Sequence, residues 1–221
     1  MKMEEAITGR RSIRKFKNEA VPREVIASIL DTARWAPSWG NTQPWQFYVI
    51  TGEPLEAFRK ANRDEIAGGK VFAPDVSIPE IWPDHLKKRY GETGKILLGA
   101  LGIAREDKEG RNNFYGEMAL LFGAPALIIA CIPRESSVEY AMLDIGLVVQ
   151  TICLLAHGKG LGTCIMAAAI GFPKLLRSIA SIPEELRITV GIALGYPDGD
   201  APINTFSRVR AELPDLVQWI D

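Results

Sequence analysis

Length, composition and charge already exclude several classes of protein. The 221 residues, 47% of them apolar, have the composition of an ordinary folded domain, which excludes a disordered chain. The 26 Lys and Arg residues nearly balance the 27 Asp and Glu residues, giving a net charge of −1, so general nucleic-acid binding is not expected. The longest apolar stretch, 120–132, contains Gly123 and Pro125 and is shorter than the roughly 18 residues of a membrane span, so we expect no spanning helix.

The beginning of the chain and its reactive side chains limit compartment and chemistry. Glu4 and Glu5 place acids near the beginning of the chain, where a signal peptide would have an apolar run, and we therefore expect a cytoplasmic protein. The cysteines are too few and too widely spaced for a disulfide framework or a zinc site; they are Cys131, Cys153 and Cys164. Because the chain has only two histidines, His85 and His157, we expect a bound cofactor to carry the chemistry.

Hydrophobic periodicity predicts helices and strands in turn along the chain. The predicted helices are at 3–8, 22–35, 53–67, 83–103, 111–121 and 141–156. The predicted strands are at 45–51, 126–132, 162–166 and 189–195. This alternation indicates a mixed α/β layer. No repeat or long linker divides the sequence, so we expect one domain, 1–221, with an excursion at about 70–113 that covers a site.

The predicted helix at 141–156 is apolar on all sides. Such a helix must be buried on every face, either as the central helix of the core or as a helix packed against its own copy in a symmetric dimer. The pattern leaves both possibilities open. Gly158 and Gly160 are expected to end the helix.

Other motifs carry little functional information. The glycines at 158–163 suggest a dinucleotide-binding turn, but they follow a helix rather than a strand, and 91–96 lacks the Ser or Thr of a phosphate loop. Cys153 and His157 lie four residues apart on one helical face, yet two ligands are too few for a metal site. A hydrolase without a Gly-x-Ser-x-Gly motif would depend on His85 or His157, and no residue pattern points to either.

A basic run after the first predicted helix suits a phosphate group. It consists of Arg10, Arg11, Ser12 and Arg14. Three guanidiniums and a hydroxyl within five residues can engage a phosphomonoester through forked hydrogen bonds, although such a run is also typical of a solvated basic surface.

Two further segments suit a ligand that carries both a phosphate group and a flavin ring. The loop at 36–45 is stiffened by two prolines and carries Ser38, Asn41 and Gln43, whose donors and acceptors match the edge of a flavin pyrimidine. Near the C-terminus, 207–210 supplies a second pair of arginines. If the tail folds back, these arginines complete a phosphate clamp.

Taken in order, these landmarks resemble the FMN-dependent nitroreductase family over nearly the whole chain. The matching segments are 10–14, 36–47, 144–150, 160–164, 195–197 and 208–210. The resemblance implies an α+β fold, a three-layer sandwich in which helices flank a central mixed, mainly antiparallel sheet. It also implies an intertwined homodimer with two FMN sites at its interface and a C-terminal arm at about 197–221.

The resemblance also assigns site residues. Phosphate and ribityl contacts fall on Arg10, Arg11, Ser12 and Arg14, with Arg208 and Arg210 as a late phosphate-binding pair. Contacts with the flavin ring from the other subunit fall on Pro37, Ser38, Trp39 and Asn41. Further contacts fall on Gln150, Ile165, Ala167 and Ala168. Of these, the backbone amide of Ala167 is expected to donate to the hydride-accepting ring nitrogen, and the resemblance implies neither a catalytic side chain nor a metal.

The resemblance therefore implies an enzyme that uses NADH or NADPH to reduce a nitroaromatic or quinone-type acceptor by a ping-pong mechanism. The regions 81–90, 102–107 and 122–125 are most similar to nitrobenzoate-type reductases. Three alternatives stay open. They are another reduction on the same scaffold, such as dehalogenation, activated-alkene reduction or flavin breakdown; a flavin-binding protein without turnover; and a small α/β hydrolase.

Overall fold

The computed structural model describes residues 2–220; Met1 and Asp221, the ends of the expected 1–221 domain, lie outside the described residues. The strands are β1 (Gln46–Thr51), β2 (Ala126–Pro133), β3 (Gly162–Met166) and β4 (Leu186–Gly195). The helices are α1 (Met3–Gly9), α2 (Arg23–Ala33), α3 (Gly52–Ala67), α4 (Asp84–Ala100), α5 (Lys108–Ala119), α6 (Val138–Gly158), α7 (Pro173–Ala180) and α8 (Pro202–Thr205). Short 3-10 turns connect several of these elements.

The four strands form one sheet in the order β1-β2-β4-β3, and each neighbouring pair is antiparallel. Among residues 2–220, parallel pairing is limited to one isolated bridge between Ser12 and Thr163. The mixed α/β layer inferred from the alternation of helices and strands is therefore replaced by an antiparallel sheet. Alternation along the chain does not require parallel strands, because β2 and β4 are neighbours in space although α6, β3 and α7 separate them in sequence.

Helices cover both faces of the sheet, which confirms the expected three-layer α+β fold. In β2, Leu127 and Ile129 pack with α3 and α7 on one face, whereas Ile128 and Ile132 pack with α2 and α6 on the other. This period of two is the pattern of a strand buried on both sides. All four side chains are fully buried, and each contributes about 1.5–3 kcal/mol through removal of its apolar surface from water.

Helix α6 is both a core helix and an exposed apolar surface. Eight of its residues are buried, on the side that packs against the sheet and α2. Its other side leaves Tyr140, Leu143 and Leu147 exposed. By length and composition alone α6 could cross a membrane, with a mean hydropathy of 1.7, which by itself does not contradict the expectation of no spanning helix. The core helix of a folded domain passes the same test.

Most predicted elements lie where the sequence pattern put them, and the differences have local causes. Helix α6 begins three residues earlier than predicted and β4 is three residues longer, since polar residues at both places interrupt the apolar pattern. Helix α5 begins at Lys108, where the Asp107 side chain accepts a hydrogen bond from the Gly110 N–H. The sequence prediction omitted α7 and α8, which are too short for a clear period.

The segment between α3 and α4 is fastened to the body of the protein where it begins. Asp75 accepts hydrogen bonds from the Ile188 N–H at 2.9 Å and from Arg177 at 2.8 Å. Phe72 packs edge-on against Phe172, with 5.2 Å between ring centroids. These contacts anchor the first part of the segment that the sequence assigns to an excursion.

Candidate functional site

The N-terminal basic run lies beside the free edge of β3. Ser12 forms a parallel bridge with Thr163, and the Ile13 N–H donates to the Thr163 carbonyl at 2.9 Å. Gly162 makes this approach possible, because a Cβ there would lie 2.4 Å from the Ile13 side chain. Two residues after Ser12, the Arg14 N–H donates to Asn204 Oδ1 at 2.8 Å, so the pairing with β3 does not continue.

The chain after β4 returns to this same run. Arg11 donates a hydrogen bond to the Phe206 carbonyl, and its guanidinium lies 5.4 Å from the Phe206 ring centroid. Arg208 donates to the backbone carbonyls of Arg10 and Thr8. The structure thus brings the two arginine runs, from opposite ends of the sequence, into one place.

These residues line a cavity of about 130 Å³, which we call the arginine cavity. The predicted residues in its wall are Arg10, Arg11, Ser12, Arg14, Arg208 and Arg210. Thr93 and Ile96 of α4 also line it, and the sequence prediction did not include them. Within residues 2–220, none of the five arginines forms an ion pair, and the buried Nε of Arg10 has no hydrogen-bond partner.

The electrostatics of the arginine cavity favour an anion. Burial lowers the pKa of Arg11, and the neighbouring charge of Arg14 lowers it further. Burial likewise lowers the pKa of Arg208, with added repulsion from Arg11, Arg210 and Arg10. Clustered cations without carboxylates are stabilised when a dianion neutralises them, so the donor set fits a phosphomonoester.

Strand β3 meets this cavity at Thr163, which pairs with Ser12 of the cavity wall, and the end of the strand follows a few residues later. Ile165 is 45% exposed in an otherwise buried strand, Ala167 is exposed in the turn that follows, and Ala168 is 5% exposed. An exposed apolar patch beside a cationic cavity provides a surface on which a flat ring attached to a phosphate can rest.

The predicted ring-binding loop is held in an unusual backbone conformation. Gly40, Asn41 and Gln43 have positive φ angles of 56°, 57° and 48°, and such strain at residues other than glycine is typical of functional sites. The Gln43 N–H donates to Ser38 Oγ at 2.9 Å, and the Gln43 side chain donates to the Asn41 carbonyl at 3.0 Å. Trp39 is 66% exposed at the front of the loop, and Pro37 and Asn41 are also exposed.

Helix α6 separates this loop from the arginine cavity within one protomer. Asp144, near the beginning of α6, accepts a hydrogen bond from the Trp39 N–H, while His157 at its end lies against Gly9 beside Arg10. Thirteen residues of helix span about 20 Å. The structure therefore does not bring Pro37, Ser38, Trp39 and Asn41 together with the arginines of the same chain, and Gln150 lies between them, half-buried on α6.

Nucleophilic side chains in the fold are poorly suited to hydrolysis. Burial raises the pKa of Cys131 to about 12 and also raises the pKa of Cys153 and of Cys164, so these thiols stay protonated at neutral pH. Burial and the charges of Arg10 and Arg208 lower the pKa of His157. The geometry thus favours anion binding over a thiol–histidine site.

Comparison with known proteins identifies the family. A sequence model described as Nitroreductase family matches residues 7–196. The chain belongs to the nitroreductase family. The 4-nitrobenzoate reductase of Pseudomonas putida is 33% identical over 208 residues, which cover 92% of this chain and 89% of that protein. The resemblance drawn from the ordered landmarks is confirmed.

Solved structures of this family have the same fold. The FMN and NADPH-dependent nitroreductase NfnB from Sphigopyxis sp. strain HMH superposes with a TM-score of 0.95 at 31% identity, covering 100% of both chains. The FMN-dependent nitroreductase NfnB from Mycobacterium smegmatis, solved in complex with NADPH, has a TM-score of 0.93 at 28% identity and covers 99% of this chain and 97% of that chain. The similarity to this nitroreductase fold therefore extends past residue 196 to the late arginines.

Proposed function

We propose that this nitroreductase-family protein is an FMN-dependent NAD(P)H oxidoreductase that reduces nitroaromatic or quinone-type acceptors by a ping-pong mechanism. The observation that carries the proposal is the arginine cavity, where five guanidiniums have no carboxylate partner among residues 2–220 and where Ser12 of the cavity wall pairs with Thr163 of β3. The relatives include a 4-nitrobenzoate reductase and an FMN and NADPH-dependent nitroreductase, which supports FMN as the cofactor and a nitroaromatic compound as the acceptor.

The phosphate of FMN fits the arginine cavity. Burial, together with repulsion between neighbouring arginines, lowers the pKa of Arg11 and Arg208, and a phosphomonoester, which carries a charge of about −1.5 to −2 at pH 7, would offset that repulsion. The phosphate oxygens would also supply acceptors for Arg10, whose buried Nε has no partner, and for the hydroxyl of Ser12. Forked contacts of this kind are the strongest that arginine makes.

The flavin ring would rest on the end of β3. When bound, FMN supplies the two-electron redox chemistry that links the nicotinamide to the acceptor. The backbone N–H of Ala167 would donate to the reacting ring nitrogen, with Ile165 and Ala168 beneath the ring. The positive charge of Arg14, in the wall of the arginine cavity, would help to stabilise negative charge on the ring. We propose no catalytic side chain, since a backbone dipole and a cation suffice for these roles.

A homodimer would complete the site. Helix α6 exposes the apolar stripe Tyr140, Leu143 and Leu147, which a second copy of the helix can cover through a two-fold axis. In an antiparallel pair, the beginning of one α6 lies beside the end of the other. The loop held by Asp144 in one protomer then approaches the arginine cavity of its partner, which supports contacts from Trp39 and Asn41 to the partner's flavin.

The excursion and the C-terminal arm are proposed to cover the site and clasp the partner. Helices α4 and α5 follow the anchored segment at Asp75, and a second cavity of about 450 Å³ lies between α5 and the chain after β4, with Arg14 in its wall. This space suits a flat aromatic acceptor. In the arm, Leu213, Leu216 and Trp219 are exposed, as expected of side chains that a partner would cover.

Dependence on NAD(P)H and three free cysteines support a cytoplasmic location.

Anaerobic flavin titration tests the proposed function. We expect the purified protein to bind one FMN per protomer, to bleach when NADPH or NADH is added, and to recover its colour with 4-nitrobenzoate. A protein that stays yellow with either nicotinamide would instead be a flavin-binding protein without turnover. A colourless protein that cannot be reconstituted with FMN would overturn the proposal.

A further inference from the structure

Asn204 is a buried polar residue that lies next to the arginine cavity but not in its wall. It is 4% exposed and belongs to α8. Its Oδ1 accepts a hydrogen bond from the Arg14 N–H at 2.8 Å. Its Nδ2 donates to the carbonyls of Lys15 and Asp198, each at 2.8 Å. The side chain thus uses an acceptor and both donor hydrogens of its amide group.

These three bonds connect the two arginine runs. Arg14 is the last cation of the N-terminal run, and Asn204 comes just before the C-terminal run. Two residues after Asn204, the Phe206 carbonyl accepts the hydrogen bond from Arg11. Four residues after it, Arg208 reaches the Arg10 carbonyl. Near Arg14 the two runs are therefore held together by the buried amide of Asn204, which acts beside the backbone hydrogen bonds from the Asp198 N–H to the Lys15 carbonyl and from the Lys17 N–H to the Tyr196 carbonyl.

The positive charge of the arginine cavity explains why a neutral side chain is suited to holding the two arginine runs together. Like charges in Arg10, Arg11, Arg14, Arg208 and Arg210 repel one another and push the two runs apart when no anion is bound. A carboxylate clamp would neutralise part of the cavity and repel a phosphate. A neutral amide resists the repulsion through hydrogen bonds and leaves the positive charge intact.

We propose that Asn204 is a positioning residue that holds the two arginine runs at the separation at which both contact one phosphate, and that it thereby sets the preference of the protein for FMN over riboflavin. The inference rests on the proposed function, because it takes the arginine cavity as the FMN phosphate site. Asn204 acts through the backbone of Arg14 and Lys15 and does not contact the cofactor.

The ratio of FMN affinity to riboflavin affinity tests this role, because riboflavin lacks only the phosphate. Equilibrium dialysis of the full-length protein gives both dissociation constants for wild type and for Asn204→Ala. We expect the variant to bind riboflavin as wild type does and to bind FMN about tenfold more weakly, the loss expected for one misplaced charge-assisted contact. Asn204→Ser, which leaves a polar hydroxyl in the buried position, carries the same comparison if the alanine variant does not fold.

Asn62→Ala is the matched control. Asn62 is 1% exposed on α3, and its Nδ2 donates to the Ala119 carbonyl at 2.8 Å, away from the arginine cavity. We expect this variant to lower the melting temperature and leave the affinity ratio unchanged. Equal weakening of FMN and riboflavin in the Asn204 variants, or no change in either, would overturn the inference alone. A wild-type protein that binds neither flavin would overturn the proposed function and this inference with it.

Discussion

The carboxylate of Asp144 accepts a hydrogen bond from the backbone N–H of Trp39, with 3.0 Å between Oδ1 and N. Asp144 is 3% exposed in an otherwise apolar face of α6, and a buried carboxylate is stable only when donors satisfy it. The bond therefore ties the strained loop at 38–43 to the helix that we propose as the dimer interface. The Trp39 ring packs 4.8 Å from the ring of Tyr140 on the same helix.

Removal of this acceptor is expected to loosen the loop. In Asp144→Ala the Trp39 N–H loses its partner, and we expect its hydrogen exchange to become about tenfold faster and FMN to bind about tenfold more weakly. Asp144→Asn keeps an acceptor oxygen and should retain most of the protection. Asp31→Ala, which removes an exposed acid that pairs with Arg34, serves as the control. Unchanged exchange of Trp39 in Asp144→Ala would show that the bond does not hold the loop.

The late arginines are expected to bind the phosphate. Replacing Arg208 and Arg210 by Ala should weaken FMN binding about tenfold for each lost contact, because each removes a charge-assisted contact. Both side chains are exposed, so the protein should stay folded, and the loss of the Arg208 hydrogen bonds to the carbonyls of Arg10 and Thr8 should lower the free energy of unfolding by about 1 kcal/mol. Equilibrium dialysis and urea unfolding measure the two effects. Arg34→Ala is the control, and the same FMN affinity in the double variant would remove these residues from the site.

His157 is expected to report phosphate binding through its pKa. Burial and the charges of Arg10 and Arg208 hold the pKa of His157 below its ordinary value of 6.5. A bound phosphate offsets those charges, so FMN should raise this pKa, whereas riboflavin should raise it less. NMR titration of the histidine ring protons measures the shift, and His157→Gln assigns the signal. A pKa of His157 that responds equally to both flavins would contradict phosphate binding beside Arg10.

Asp75 is expected to stabilise the anchored segment in a pH-dependent way. Burial raises the pKa of Asp75, but the Ile188 N–H and the charges of Arg177 and Arg134 outweigh it, so the pKa lies below its ordinary value. The stabilisation is therefore present above about pH 4, the unfolded pKa, and is lost as pH falls through the folded value. Asp75→Ala should lower the free energy of unfolding by about 2 kcal/mol at pH 7, and urea unfolding at pH 7 and pH 3 should show the difference shrinking with acid. An equal difference at both pH values would rule out this ion pair as the cause.

The sequence predicted the strands and long helices well because each has one clear hydrophobic period. It could not predict that β2 and β4 are neighbours, since pairing depends on how α6 and α7 fold back over the sheet. It also left the role of α6 open. The structure shows one face of α6 in the core and the other exposed, a division that a helix apolar on all sides does not reveal.

Some residues of the candidate site could likewise be predicted from the sequence, whereas others could not. The arginines could be named from the sequence because charged runs are visible there, and the family resemblance gave them an order. Asn204 carried no signal, because α8 is too short to show a period that marks one of its residues as buried. Asp144 did carry a signal that went unused for the site: an acid inside an apolar helix must find a donor. Thr93 and Ile96 line the cavity only because α4 packs beside α8, a contact between distant parts of the chain.

The central claim is that each flavin site combines the arginine cavity of one protomer with the loop of the other. Hybrid dimers test this claim directly. Protein carrying Asp144→Ala is mixed with protein that carries both Arg208→Ala and Arg210→Ala, and the mixture is then unfolded and refolded. Random pairing makes about half of the dimers hybrids, and each hybrid has one site that combines an intact cavity with an intact loop. About a quarter of all sites should therefore regain wild-type FMN affinity. If each site lies within a single chain, every site in the mixture is damaged, and the absence of any wild-type affinity would contradict the claim.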